Sequence, residues 1–245
     1  MNISLSSIDK SRFGITTAKM QLSGDEPVPD INAWCDANSV ELLIARCRCD
    51  DIALVQKLEA DGFFLTDTLV YYRNKELTQS ADVLKEGYST RFATAADAAT
   101  VGALAEVTFA GYTGHYHADP RLASADCDAV YSSWAASSCA STAVADQVIL
   151  IEHGGKTVAF ATVKKVESYM MEGVLFGVSP EHQGRSLYNA LMLLAQNWAM
   201  NHNFKQMIVS TQVTNLAVQK VWCRQRFEPF KSYYTFHKWF AKPAR

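Results

Sequence analysis

The segment from Val178 to Leu187 contains residue types that bind phosphate in proteins. An apolar run ends at Val178, residues 183–186 read Gln-Gly-Arg-Ser, and a helical apolar pattern begins at Leu187. The first amides of a helix have no intrahelical acceptor, and the helix dipole is positive there. Gly184 lets an anion approach the backbone, and Arg185 adds positive charge. The pattern indicates a pyrophosphate site, although such junctions are also frequent as purely structural turns.

Glu172 is the candidate proton acceptor. It lies on the predicted strand that ends at Val178, six residues before it. A carboxylate in a partly dry cleft has a raised pKa and can take a proton from an attacking nucleophile. The competing interpretation is an ordinary surface residue at the start of a strand, because glutamate is usually exposed.

A second polar group lies in the irregular segment from Gly111 to Asp128, which is longer than most connections in compact domains. Long loops of this kind often carry function. The residues suited to gripping a sugar phosphate or a hydroxyl-rich ring are His115, Tyr116, His117, Asp119 and Arg121. The two histidines face the same side of an extended chain, but no cysteine or carboxylate joins them at ligand spacing, so no metal site is predicted.

Short apolar runs and helical periodicity predict the elements that must position these residues. Predicted strands span 41–47, 68–72, 89–93, 147–152, 157–163, 172–178, 206–210 and 233–240. Predicted helices span 52–62, 98–109, 130–138, 187–198 and 215–226. Asp50 or Asp51 is the expected cap of the first helix, and His153-Gly-Gly155 predicts a hairpin turn. A polar stretch without periodicity, 74–87, divides the chain into predicted domains 1–86 and 87–245.

Composition limits the classes of function. Of the 245 residues, 49% are hydrophobic and 20% are charged, and the formal net charge is -2. The chain therefore lacks the excess of positive charge that is typical of proteins that bind nucleic acid. The start of the sequence does not resemble a signal peptide, and no run of about 18 apolar residues could span a membrane. The sequence therefore predicts a cytoplasmic protein with a small-molecule ligand and free cysteine thiols.

Residues 183–188 resemble motif A of the GNAT N-acetyltransferase superfamily. That motif follows an apolar strand and a Val-x-Pro-Glu turn with Arg or Gln, two variable residues, Gly, one variable residue, and Gly or Ala. The sequence here reads Gln-Gly-Arg-Ser-Leu-Tyr, so Ser186 and Tyr188 depart from the pattern. The segment Arg91 to Asp97 resembles the first strand and helix of the superfamily, and Asn215-x-Ala217 resembles motif B. The resemblance extends from Tyr88 to Phe240.

This resemblance implies an α/β (α+β) GNAT fold, in which helices flank a mixed, splayed central sheet, preceded here by a smaller N-terminal α/β domain. It also implies an enzyme that uses acetyl-CoA as co-substrate and needs no metal. The residues implied to bind acetyl-CoA are Phe176, Val178, Gln183, Gly184, Arg185, Ser186, Leu187, Tyr188, Asn215 and Trp222.

The implied catalytic residues are Glu172, Val178 and Trp222. Some members of the superfamily place their general base where Glu172 stands, and a backbone N–H near Val178 would stabilise the tetrahedral oxyanion. The superfamily commonly has a tyrosine at the position of Trp222, where it protonates the departing thiolate. Because an indole N–H has no useful acidity, Trp222 is expected to donate a hydrogen bond to sulfur or to pack against pantetheine.

A narrower resemblance covers most of the chain and points to the bacterial dTDP-fucosamine acetyltransferase group. It rests on the segments Ile8–Gly14, His115–Arg121 and Thr211–Asn215, together with Tyr131 and Trp134. It implies that the acceptor is the amine of a nucleotide-linked deoxy amino sugar. The residues implied to bind that acceptor are His115, Tyr116, His117, Arg121 and Gln212.

Two other functions stay open. One is a peptide or protein N-acetyltransferase on the same fold, which an open, acidic acceptor cleft would favour. The other is a non-catalytic acyl-CoA-binding regulatory module, suggested by the departures at Ser186, Tyr188 and Trp222. The identity of the acceptor and the assembly state, a monomer or a homodimer, also stay open.

Overall fold

The computed structural model describes residues 1–24 and 26–240 and places ten strands in one sheet. The strands are β1 (Ile3–Leu5), β2 (Thr17–Gln21), β3 (Leu42–Arg48), β4 (Phe64–Asn74), β5 (Tyr88–Phe92), β6 (Gln147–His153), β7 (Lys156–Glu167), β8 (Met170–Val178), β9 (Gln206–Gln212) and β10 (Glu228–Trp239). Their order is β1-β2-β3-β10-β4-β9-β8-β7-β6-β5. Only the pairs β2 with β3 and β8 with β9 are parallel in this sheet, so it is mixed, as predicted.

Helices cover both faces of the sheet, which confirms the predicted fold class. They are α1 (Ser7–Phe13), α2 (Val28–Ala37), α3 (Ile52–Ala60), α4 (Ala98–Thr108), α5 (Ser124–Ala140), α6 (Leu187–Asn201) and α7 (Leu216–Arg224). Helices α2, α3 and α6 pack on one face, and α4 and α5 pack on the other. In residues 1–24 and 26–240, none of the helices combines the length and hydrophobicity that a membrane crossing needs.

β3 shows how the sequence alternates between the two faces. Leu43, Ala45 and Cys47 are buried in the cluster with α2 and α3, and Leu42 and Ile44 are buried in the cluster with α5. Successive side chains of a strand point to opposite faces, so a strand that is buried on both faces reads as a continuous apolar run. This explains why β3 was recognisable from the sequence.

β10 lies between two strands from the first third of the chain. Thr235 is opposite Arg46 of β3 on one side and opposite Asp67 of β4 on the other. The predicted boundary between residues 86 and 87 falls in the connection from β4 to β5, and the strands on both sides of it belong to the same sheet. The division into two domains remains a prediction. Residues 241–245 of the predicted second domain lie outside the described part of the chain.

Several local expectations are confirmed. Asp51 accepts a hydrogen bond from the backbone N–H of Leu54 and caps α3, and the turn at Gly154 and Gly155 joins β6 to β7. All six cysteines are free thiols. The elements β1, α1, β2 and α2 were not predicted, although Ser6 caps α1 by accepting from the N–H of Asp9, a spacing typical of a helix start.

Candidate active site

β8 and β9 are parallel neighbours that separate partway along their length. Their pairing ends with Gly173 opposite Val209, while β8 continues to Val178 beside β7. The register between β7 and β8 skips Val174, which marks a bulge where the separation begins. The predicted splay of the sheet is therefore present between β8 and β9.

The backbone of β8 presents hydrogen-bonding groups to this opening. Ser179 N donates to Val158 O over 2.9 Å, so these two residues form a hydrogen-bonded pair. Hydrogen-bonded and non-hydrogen-bonded pairs alternate along an antiparallel ladder. The N–H and C=O groups of Phe176 and Val178 consequently point away from β7 and toward the opening.

The loop after β8 carries the predicted phosphate site. Gly184 and Ser186 both have left-handed backbone conformations, with φ of 74° and 67°. Within the described chain, the amides from Gly184 to Asn189 donate to no backbone carbonyl. Residues 183–186 are exposed, so these amides and the side chain of Arg185 are accessible to an anion. Ser186 stands where motif A has glycine, and a left-handed residue with a Cβ costs about 1–2 kcal/mol.

The other two departures from the family pattern contact each other. Trp222 is buried and its Nε1–H donates to the hydroxyl oxygen of Tyr188 over 3.0 Å. The Tyr188 ring lies 5.8 Å from that of Phe176 on β8, measured between centroids. Burial raises the pKa of Tyr188. Because its oxygen accepts from Trp222, and its own O–H donates to none of the described residues, this O–H is available to a ligand.

A cleft of about 1440 Å³ extends from this opening along one face of the sheet. The strands form its floor, and α1, α5 and the residues from Phe109 to Tyr116 line its other side. Phe176, Tyr188, Asn215 and Trp222 line the end near the β8 and β9 opening. Polar residues of the floor include Arg46, Asp67, Tyr71, Glu172, Ser210 and Gln212.

Glu172 faces the cleft from β8. Its Oε1 lies 3.5 Å from the hydroxyl oxygen of Ser210. Burial raises the pKa of this carboxyl, and the positive charges of Arg46 and Lys231 oppose that rise in part. A carboxylate with a raised pKa at a cleft wall is suited to accept a proton near neutral pH.

A chain of buried and partly buried hydrogen bonds ends at His115, which lines the cleft. Asp119 Oδ2 lies 2.8 Å from His237 Nδ1 and 2.7 Å from Trp239 Nε1. His237 Nε2 lies 2.9 Å from His115 Nδ1. The carboxylate of Asp119 accepts from His237 Nδ1–H, so His237 Nε2 accepts from His115 Nδ1–H. This assignment leaves His115 Nε2 as an acceptor for a ligand.

The remaining loop residues are placed differently. Tyr116 lines the cleft and its hydroxyl donates to Asp9 Oδ1 over 2.8 Å. His117 accepts from the N–H of Gly114 and contacts Asp128, and Arg121 lies over the rings of Phe64 and Trp239. His117 and Arg121 are absent from the cleft lining, so their contacts support the shape of the loop. Gln212 lines the cleft and donates to Thr113 O over 2.6 Å.

Sequence reasoning missed the part of the floor that comes from the first third of the chain. Arg46, Asp67 and Tyr71 lie on β3 and β4. His237 on β10, the partner of His115, was also missed, although it lies outside the cleft lining. Arg46 interrupts an otherwise buried apolar strand, and that interruption was the one signal available in the sequence. In the described residues no group of three His, Cys, Asp or Glu side chains is arranged to hold a metal ion.

Comparison with known proteins agrees with this geometry. Residues 114–227 match the model of the acetyltransferase (GNAT) family. A search of curated proteins finds no match to the chain.

Solved structures with a similar fold include a GCN5-related N-acetyltransferase from Sphaerobacter thermophilus, with 11% identity, a TM-score of 0.63, and coverage of 97% of this chain and 76% of that one. A tandem GNAT protein from the clavulanic acid biosynthesis pathway has 14% identity and a TM-score of 0.64, with coverage of 95% and 77%. A GCN5-related N-acetyltransferase from Kribbella flavida has 14% identity and a TM-score of 0.61, with coverage of 91% and 81%. These likenesses concern the fold.

The fold and the open strand pair are those of the acetyltransferase class of proteins. The match over residues 114–227, somewhat less than half of the chain, is to GNAT-family acetyltransferases, enzymes that take the acetyl group from acetyl-CoA, and the fold of the chain is similar to theirs.

The two linked histidines predict a loss of stability in mild acid. Burial lowers the pKa of both His115 and His237 below the ordinary 6.5, although Asp119 raises that of His237 in part. Lys19, Arg46 and His117 also oppose protonation of His115, and Arg121 opposes that of His237, whereas Asp9 favours it. The unfolded chain therefore binds protons below about pH 6.5 that the folded chain does not bind.

We expect the free energy of unfolding to be retained well above pH 6.5 and to fall as the pH decreases from about 6.5 to 5, by at most about 1.4 kcal/mol per pH unit for each histidine. Urea unfolding at each pH measures it. A protein with both His115→Gln and His237→Gln should show a shallower fall, and the exposed control His153→Gln should keep the wild-type slope. Equal slopes in all three proteins would contradict the account.

Proposed function

We propose that this protein transfers the acetyl group of acetyl-CoA to the amine of a small acceptor bound in the cleft. The observation that carries the proposal is that the opening between β8 and β9 leads into the same cleft whose floor holds Glu172. A donor against β8 and an acceptor above Glu172 would then meet inside one cavity. The covering by α1, α5 and the loop before Tyr116 favours a small acceptor over a protein chain.

The donor site is proposed from three groups of atoms. The amides and side chain of residues 183–188 would hold the pyrophosphate, as free amides at a helix start hold anions. The outward backbone groups of Phe176 and Val178 would pair with the amides of the pantetheine arm. Asn215 and Trp222 would line the far wall. The backbone N–H of Val178 is the proposed oxyanion donor.

The chemical step needs a proton acceptor and a proton donor. The amine nitrogen attacks the thioester carbonyl, the new C–N bond forms and the C–S bond breaks. Glu172 is the proposed acceptor of the proton that leaves nitrogen. Tyr188 is the proposed donor of a proton to the departing thiolate, because its O–H is unused and Trp222 holds its oxygen at 3.0 Å. Trp222 then acts by positioning.

The proposed acceptor is the amine of a nucleotide-linked deoxy amino sugar. The segments that resemble the dTDP-fucosamine acetyltransferase group support it, and His115 and Gln212 from those segments line the cleft. A structure described as a glucosamine N-acetyltransferase region of a fungal multi-domain protein shares the fold, with 12% identity, a TM-score of 0.57, and coverage of 80% of this chain and 25% of that one. We also propose that the protein is located in the cytoplasm.

Acetyl-CoA-dependent release of free thiol, measured with a panel of amino-sugar nucleotides and simple amines, tests the activity. Glu172→Gln should lower kcat by about a hundredfold to ten-thousandfold, since a general base contributes that much, and leave acetyl-CoA affinity nearly unchanged. Glu167→Gln, at the exposed end of β7, is the matched control and should retain activity. Retained CoA binding with no thiol release in any mixture would favour the non-catalytic alternative.

Arg185→Glu tests the donor site. The exposed arginine beside free amides would be replaced by a negative charge, which repels a pyrophosphate, so CoA affinity should fall by about tenfold or more. Titration calorimetry with CoA measures this. Lys156→Glu, an equal charge change at the exposed start of β7, should bind CoA as the wild type does. An unaltered affinity in a folded Arg185→Glu protein would remove the pyrophosphate site from the proposal.

Tyr188→Phe and Trp222→Phe separate proton donation from positioning. Tyr188→Phe removes the donor, so kcat should fall by about tenfold or more, while the dissociation constant of CoA changes little. Trp222→Phe removes one hydrogen bond, which ordinarily accounts for about tenfold at most. Single-turnover kinetics of both variants provide the comparison. A thousandfold loss in Trp222→Phe, with CoA affinity intact, would show that the indole does more than hold Tyr188.

A further inference from the structure

Arg46 lies on the cleft floor and has no role in the acetyl transfer proposed above. Its neighbours in the sheet are Gln21 on β2 and Thr235 on β10. Asp67 is opposite Thr235, and all of these side chains share the sheet face that forms the floor. Arg46 therefore stands on the part of the floor that the N-terminal strands supply.

The guanidinium of Arg46 forms neither an ion pair nor a hydrogen bond with any of the described residues. None of the ion pairs within 4.0 Å includes it, its side chain makes no hydrogen bond, and its Nε is buried without an acceptor. The other cations that line the cleft are occupied: Lys19 pairs with Asp9 at 2.6 Å, Arg12 donates to Ser133 over 2.6 Å, and Lys164 donates to the backbone oxygen of Ala143 over 2.7 Å.

An arginine that only supports the fold would have its donors satisfied, because burying a charged donor without an acceptor is costly. A guanidinium has five donors in a planar fork that matches a carboxylate or a phosphate. An anion brought by a ligand would complete this site.

Arg46 also acts on the group proposed to take the proton. Its charge lowers the pKa of Glu172 and that of Asp67, against the larger effect of burial, which raises both. The guanidinium is therefore close enough to Glu172 to interact electrostatically with it. One small molecule could place its amine at Glu172 and an anionic group at Arg46.

We propose that Arg46 binds an anionic group of the acceptor, a carboxylate or a phosphate, so that the acceptor is an amine that also carries negative charge. This inference rests on the proposed acetyl transfer in the same cleft. It assigns acceptor selection to β3, a strand outside the region 114–227 that matches the family model.

Matched acceptor pairs test the inference: a free amino sugar with its phosphate ester, and an α-amino acid with its amide. In the wild type, kcat/KM for the charged member of one pair should exceed that for its neutral partner by about tenfold to a hundredfold. Arg46→Gln should remove most of that ratio, and Arg46→Lys should keep part of it, because lysine retains the charge without the fork. The pair that shows the ratio identifies phosphate or carboxylate.

Arg48→Gln is the control, since Arg48 is exposed on the same strand and pairs with Asp50. It should leave the ratio at the wild-type value. A ratio near one in the wild type, or an equal ratio in Arg46→Gln, would overturn the inference while acetyl transfer itself stands.

If no acceptor in the panel is acetylated, the proposed function is contradicted. The anion site at Arg46 is then tested by measuring the binding of small anions directly. Calorimetry with a hexose phosphate and with glycolate supplies the phosphate and carboxylate probes, and excess CoA is present to fill the proposed donor site. Binding of either probe to the wild type that weakens by about tenfold in Arg46→Gln supports the site. Absence of binding to the wild type, or equal binding to the wild type and to a folded Arg46→Gln protein, contradicts it.

Discussion

The end of pairing between two parallel strands is the constraint on which the site depends. Beyond Gly173 and Val209 the facing edges of β8 and β9 have no strand partner, and unpaired backbone groups away from water cost free energy. β8 keeps its position because β7 holds it closely from the other side: a methyl group added at Gly177 would lie 2.4 Å from the Phe160 ring. A ligand with amide groups of its own can pair with the free edge as a further strand would.

Local patterns in the sequence predict much of this arrangement. The cap at Asp51, the Gly-Gly turn and the helical period after Ser186 depend on residues that are near one another in the chain, so spacing alone reveals them. Gly184 shows why the loop after β8 is also recognisable. The backbone there adopts left-handed conformations, and that requirement restricts the sequence to a few residue types.

Contacts between distant segments could not be predicted in the same way. The bond between Trp222 and Tyr188 joins two helices, and the bond between His115 and His237 spans 122 positions. Each of these side chains looks ordinary where it stands in the sequence. Their importance appears only when the sheet brings β10 beside β3, and periodicity contains no information about which strands become neighbours. The cleft floor was missed for this reason.

The position of β10 also determines when the sheet can be completed during synthesis of the chain. β3 and β4 leave the ribosome early, but the strand that must lie between them is the last one described. At about 5–20 residues per second, their inner edges wait on the order of ten seconds for it. Open strand edges invite pairing with other chains, and contacts of such long sequence separation form slowly. The interval before β10 is made is therefore the stage of synthesis at which the inner edges of β3 and β4 are open to such pairing.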